Sequence, residues 1–140
     1  MNRNYGYKFA NDDAGSTGSE DVCSLDYRGP KAFSEPETRA IRDFVTKWSN
    51  IKIALNLHAW GNLQIIPFNY AHQHNMALKN DFPLAQHFYS HLESFSGLPK
   101  GAQMGNGAKT VGYTANGEAS DWMLAERGIY ALSPEIGTQS

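Results

Sequence analysis

An α/β fold, in which helical crossovers join the strands of a sheet, is what this sequence predicts. Two observations carry the prediction. Short runs rich in branched apolar residues, IKIALNL at 51–57, LQII at 63–66 and IYAL at 129–132, are too brief for helices and are preceded by Asn or Gly. Between them lie longer stretches whose apolar residues recur at helical spacing. In sheets of this class ligands sit beyond the carboxyl ends of the strands, which directs attention to His58 and Glu135.

The elements follow in order. Residues 5–33 are rich in Gly, Asp, Ser and Asn without periodicity, which predicts a long loop of the kind that is functional or disordered in compact domains. Ser34, Pro36 and Glu37 read as a capping box with proline in the first turn. Ala40, Ile41, Phe44, Val45 and Trp48 then mark one face of a helix running to about residue 49. The run at 51–57 is expected to be a buried strand with His58 at its end, and 63–66 a second strand stopped by Pro67. Leu84, Phe88, Leu92 and Phe95 set the apolar face of a helix over 83–95, closed by Gly97 and Pro99. Residues 101–112 are expected to be loop, 118–127 a helix ended by Gly128, and 129–132 a strand leading to Pro134 and Glu135.

A chain of 140 residues, 41% hydrophobic and 19% charged, can bury one core, and no repeat or internal boundary divides it. Its formal charge of -2 and scattered Lys and Arg give no footprint for nucleic acid. No apolar run approaches the roughly 20 residues needed for a membrane span. Cys23 stands alone, read either as a buried free thiol or as half of a disulfide whose partner lies outside these residues. The chain stops a few residues past its last strand, so the domain is expected to be truncated there.

Taken singly, His58 and Glu135 are ambiguous; together they are a candidate metal ligand and general base converging on one crevice. His87 and His91 are four apart on a helix but lack the Glu of a zinc-protease motif, and His72 and His74 fall in a polar loop expected to face solvent. There is no H-x-x-E and no G-x-S-x-G. The glycines from 105 to 112 lack the strand-to-helix setting of a phosphate loop.

Five stretches, NRN at 2–4, DYRGPKAFSEPE at 26–37, LNLHAWGNLQIIPF at 55–68, GYTANGEASDW at 112–122 and SPEIG at 133–137, resemble the zinc carboxypeptidases of the carboxypeptidase A and B type. The resemblance spans almost the whole chain. It implies part of a mixed, mainly parallel twisted sheet with helices on both faces, truncated at both ends, so that residues 1–140 form a C-terminal portion of the catalytic domain. By that likeness Zn2+ is the cofactor, His58 is one zinc ligand, and the two others, in an H-x-x-E, lie upstream of Met1 together with an arginine that polarises the scissile carbonyl. Glu135 matches the catalytic glutamate, Asn2 and Arg3 the pair that binds the substrate's C-terminal carboxylate, and Tyr113 the mobile tyrosine that closes over it. Ser120 and Asn69 match positions of the side-chain pocket, and their neutrality leans toward neutral C-terminal residues, with Glu118 close by. Trp60 stands where the family commonly has Tyr.

The likeness also favours the disulfide reading of Cys23, which would place the parent in an oxidising compartment. The implied function is zinc-dependent hydrolysis of the C-terminal peptide bond, with peptide or protein C-termini as partners and this chain alone inactive. The alternatives are a non-catalytic peptide-binding relative and a zinc amidohydrolase of acylated amino acids on the same scaffold.

Overall fold

The computed structural model describes residues 1–11, 16–72, 76–93 and 103–137. Strands β1 (Ser16–Thr17), β2 (Ile53–Leu55), β3 (Leu63–Ile65), β4 (Gln103–Gly105), β5 (Thr114–Ala115) and β6 (Tyr130–Glu135) are interleaved with helices α1 (Pro36–Lys47), α2 (Met76–Asp81), α3 (Pro83–Glu93), α4 (Gly107–Thr110) and α5 (Ala119–Arg127). Four strands form a mixed sheet in the order β2-β6-β3-β4. β2 runs parallel to β6 with Leu55 opposite Leu132, β3 runs antiparallel to β6 with Leu63 opposite Glu135, and β4 runs parallel to β3. β1 and β5 form a separate parallel pair.

α5 is the anchor of the fold. All six residues from Ala119 to Leu124 are buried. Leu124 packs with Ile66, Phe68, Tyr89 and Leu132 in one core cluster, while Trp122 and Met123 pack with Tyr5, Val45 and Ile129 in another. Each large apolar side chain buried in this way contributes about 1.5–3 kcal/mol. The helix ends as expected at Gly128, whose φ of 64° suits a residue without Cβ and whose N–H closes on the carbonyl of Leu124.

Several expectations are corrected. The capping box at Ser34 does not form: Glu35 is the N-cap of α1 and makes no side-chain cap hydrogen bond. The Ser34 hydroxyl instead donates to Glu35 and accepts from the Asn4 amide, which recruits it into a network of its own. The run at 51–57 is not a buried strand, because Ile53 and Leu55 on the outer strand of the sheet, and Leu57 just past it, are 57–63% exposed. Ile41 and Phe44 of α1 and its C-cap Trp48 are likewise exposed, and only Thr38 and Val45 of that helix are buried. On α3 the buried positions are Ala85 and Tyr89 and Leu84 faces outward, while the expected contact at Phe95 lies outside the described residues.

Residues 103–110, expected to be loop, hold β4 and α4. Their three and four residues are too few for a periodic signal, and both depend on distant partners. β4 needs β3, and α4 is capped by the buried Asn106, whose side-chain oxygen accepts from the Lys109 N–H. The last strand runs on through Pro134 to Glu135 rather than ending at Leu132. Cys23 is exposed, so the buried-thiol reading fails. No described helix is long and apolar enough to cross a membrane.

Candidate active site

β2 and β6, being parallel neighbours, deliver their carboxyl ends to the same place. An isolated bridge just past β2 sets His58 beside Glu135, with the His58 N–H donating to the Pro134 carbonyl at 2.9 Å and the Ile136 N–H to the His58 carbonyl at 3.0 Å. The side chains then meet, Nδ1 of His58 lying 3.8 Å from Oε1 of Glu135, and both remain partly open to solvent. Backbone pairing thus fixes an imidazole and a carboxylate at one mouth of the sheet.

That mouth is an open cleft of about 410 Å³, counting the space continuous with solvent, lined by Asn2, Arg3, His58, Asn69, Tyr113 and Glu135 among others. Six of the seven residues singled out from the sequence therefore share one cleft. Ser120 is the seventh; it is fully buried and does not line the cleft, because its hydroxyl and its N–H both turn onto the Glu118 carboxylate.

The N-terminal residues reach the cleft because Asn4 staples them to the rest of the molecule. Its amide is wholly buried and donates to the carbonyls of Arg28 and Lys31 and to the Ser34 hydroxyl, while its oxygen accepts from the Glu35 N–H and the Thr38 hydroxyl. Two residues earlier, the Asn2 oxygen accepts from the Ala119 N–H at the start of α5. The Asn2 amide nitrogen lies 3.3 Å from Nε2 of His58 and 3.2 Å from Oε1 of Glu118, so one side chain touches both walls. Arg3 is held by its Nε on the Thr17 hydroxyl at 2.8 Å and by Nη1 on the Asn2 carbonyl at 2.6 Å, whereas among the described residues Nη2 makes only a 3.9 Å contact with Asp26. Room for this segment exists because Gly117, at φ 63°, has no side chain: a Cβ there would lie 2.5 Å from the Arg3 carbonyl oxygen.

Glu118 is the polar centre of the opposite wall. It is 3% exposed and accepts from seven groups, the amides of Asn2, Asn56 and Asn69, the N–H and hydroxyl of Ser120, the Asp121 N–H and the Ser133 hydroxyl. It doubles as the N-cap of α5. Behind it Asp121, fully buried, accepts from the backbone of Asn69 and Tyr70 and from the Asn69 amide. Burial, and next the charge of Glu118, raise the Asp121 carboxyl well above the usual carboxylate range, against the pull of those hydrogen bonds. Asn69 itself is spent on structure, since its oxygen also takes the Gly107 N–H at 2.7 Å.

Zinc chemistry asks for three protein ligands and an open position. Among the described residues no group of three His, Cys, Asp or Glu side chains is placed to hold a metal. His58 offers one imidazole to such a site: its Nδ1 faces Glu135 across the cleft, and its Nε2 lies beside the amide nitrogens of Asn56 at 3.0 Å and Asn2 at 3.3 Å. His87 and His91 lie elsewhere, exposed on α3, with the His91 ring bonded to the carbonyl of His87. His72 is exposed, and His74 is outside the described residues.

The contributions of Asn4, Asn56, Glu118 as the hub of a wall, Asp121 and Ser133 were not foreseen. The one available signal was the pair of acids three apart in GEASDW, which straddle a helix start. Asn4 was within reach as the third residue of NRN.

Comparison with known proteins bears on the family and the fold. Human carboxypeptidase B is 35% identical over 121 residues, covering 84% of this chain and 28% of the relative, and carboxypeptidase B of Astacus astacus is 30% identical over 137 residues, covering 96% and 43%. This chain thus spans less than half the length of each of these relatives. The crystal structure of carboxypeptidase A from Helicoverpa armigera superposes with a TM-score of 0.70 at 26% identity, covering 99% of this chain and 33% of that one. Thrombin activatable fibrinolysis inhibitor gives the same TM-score at 24% identity, covering 96% and 32%, a likeness of fold. The family model described as zinc carboxypeptidase matches residues 1–140, and the chain belongs to that family.

Proposed function

We propose that the protein is a zinc-dependent carboxypeptidase, hydrolysing the C-terminal peptide bond of peptides and proteins. The observation that carries this reading is the placement of His58 and Glu135 at adjacent parallel strand ends, in the same cleft as Arg3 and Asn2. His58 supplies one zinc ligand, the remaining ligands lying outside the described residues. Zinc, when bound, supplies a Lewis acid and a water acidified to a pKa of about 7.

Each side chain then has a task. Arg3, anchored through Nε and Nη1, turns its Nη2 edge to the substrate's terminal carboxylate. Such charge-assisted hydrogen bonds are worth about 1.5–3 kcal/mol, enough to select a free chain end over an internal peptide bond. Asn2 adds an amide donor beside it. Tyr113, 40% exposed on the rim, closes over the bound terminus. The Glu135 carboxylate accepts a proton from the attacking water and returns it to the leaving amine, general acid–base work worth about a hundredfold to ten-thousandfold in rate.

The test uses the complete protein supplied with zinc. It should release the last residue from a peptide with a free C-terminus and leave the C-terminally amidated peptide intact, and chelation should abolish the release. Glu135→Gln should lower kcat by two to four orders of magnitude with substrate still bound. Undiminished turnover in that variant would overturn the role of Glu135, and equal cleavage of the amidated peptide would overturn the role of Arg3.

A further inference from the structure

We infer that His87 and His91 form a second metal site, a two-imidazole chelate on the solvent face of α3 that takes a divalent transition-metal ion such as Zn2+, Ni2+ or Cu2+. Neither residue lines the cleft of His58 and Glu135, so this site is separate from the proposed catalytic one and does not rest on the carboxypeptidase reading.

The helix places the pair. α3 is anchored through Ala85 and Tyr89, buried in the core with Ile66, Phe68 and Leu132, and the Tyr89 hydroxyl donates to the Ala131 carbonyl at 2.8 Å. Phe88 adds a stack on Tyr130, with ring centroids 4.9 Å apart. At about 3.6 residues per turn, positions 87 and 91 fall on the side of the helix opposite 85 and 89, and both histidines are exposed. Residues four apart on a helix are surface neighbours, and here the two rings have come together with their centroids 4.2 Å apart. Both ligands stand on one anchored element, so most of the ordering that a chelate requires precedes the arrival of the ion.

The chemistry of the rings suits the role. Nδ1 of His91 lies 3.0 Å from the His87 carbonyl oxygen, which can only accept, so Nδ1 carries the proton and Nε2 is the basic nitrogen of the neutral ring. A backbone carbonyl on one ring nitrogen is the usual support for a histidine that binds metal through the other. The same carbonyl accepts from the Ser90 hydroxyl at 2.9 Å, which steadies the turn between the two rings. Residues 80–99 include Asp81 and Glu93 and neither Lys nor Arg, so a cation meets no like charge from this helix. Imidazole nitrogen selects Zn2+, Ni2+ and Cu2+ over Mg2+ and Ca2+, which prefer oxygen ligands. Among the described residues no third His, Cys, Asp or Glu joins the pair, so water completes the coordination and the ion is exchangeable.

The experiment titrates Ni2+, with Mg2+ as control, into the complete protein already carrying one equivalent of zinc, followed by calorimetry. One further equivalent of Ni2+ should bind, and Mg2+ should not. His87→Ala and His91→Ala should each weaken that binding by about a hundredfold or more, because losing either ring turns a linked two-point grip into a single contact. Both side chains are exposed, so each variant should keep its thermal midpoint in metal-free buffer. Ni2+ should raise the midpoint of the wild-type protein and leave that of either variant unchanged. No further equivalent of Ni2+, an affinity unaltered by either substitution, or equal binding of Mg2+ overturns the inference. Peptide release tests the peptidase reading by itself, so the two stand or fall separately.

Discussion

Replacing Asn4 by alanine should unfold the corner of the molecule that carries the proposed carboxylate grip. The Asn4 side chain makes five hydrogen bonds while wholly buried. Three of its partners keep another: the Lys31 carbonyl has the Ser34 N–H, the Ser34 hydroxyl has Glu35, and the Thr38 hydroxyl has the Glu35 carbonyl. The Glu35 N–H loses its side-chain acceptor, and the Arg28 carbonyl loses one donor. Leaving a buried polar group unpaired costs about 1–3 kcal/mol, and each shared bond that is lost costs about 0.5–1.5 kcal/mol. Asn4→Ala should therefore destabilise by about 3 kcal/mol or more, read by urea denaturation of the complete protein. Activity measured under folding conditions should show KM raised more than kcat is lowered, because the segment carrying Asn2 and Arg3 is loosened while His58 and Glu135 stay on the sheet. A loss of stability under about 1 kcal/mol would refute the idea that Asn4 staples the N-terminal segment.

Gly117→Ala should raise KM and destabilise by more than 1 kcal/mol, since the added methyl carbon would overlap the Arg3 carbonyl at a backbone angle that L residues rarely adopt; unchanged KM for a free-terminus peptide would contradict this. The Tyr5 phenol is pushed up to about 12, first by burial and then by the charge of Glu118. The unfolded phenol titrates at about pH 10, so between about pH 10 and about pH 12 the unfolded state binds fewer protons and stability falls as pH rises. Tyr7 and Tyr89 shift in the same direction, so Tyr5→Phe should flatten this decline without removing it, as measured by denaturation at pH values across the window; an unaltered slope would count against the assignment.

Sequence pattern revealed most where a signal is local. Gly128 at the end of α5, Pro36 at the start of α1 and Pro67 after β3 act through their own backbone preferences, and the corresponding boundaries lie within a few residues of expectation. His58 and Glu135 were legible because each follows a run of strand-like residues and parallel pairing brings such ends together. Burial was less legible, because periodicity shows that a face is apolar but not what covers it. Thus Ile53, Leu55, Ile41 and Phe44 have the pattern of core residues yet stand exposed. β4 and α4 were hidden for the opposite reason, their stability coming from β3 and from Asn106 rather than from their own few residues. The Glu118 hub was the hardest feature to foresee, since its donors are spread from Asn2 to Ser133 and only the folded chain assembles them.

The amide of Asn2 spans the interval between imidazole and acid, touching Nε2 of His58 on one side and Oε1 of Glu118 on the other. The ring at 58 and the acid at 118 therefore share one restraint. A replacement at 118 would also loosen the hold on the ring at 58. Change at 118 should be tolerated in concert with compensating change at 2 or 56, rather than by a single replacement.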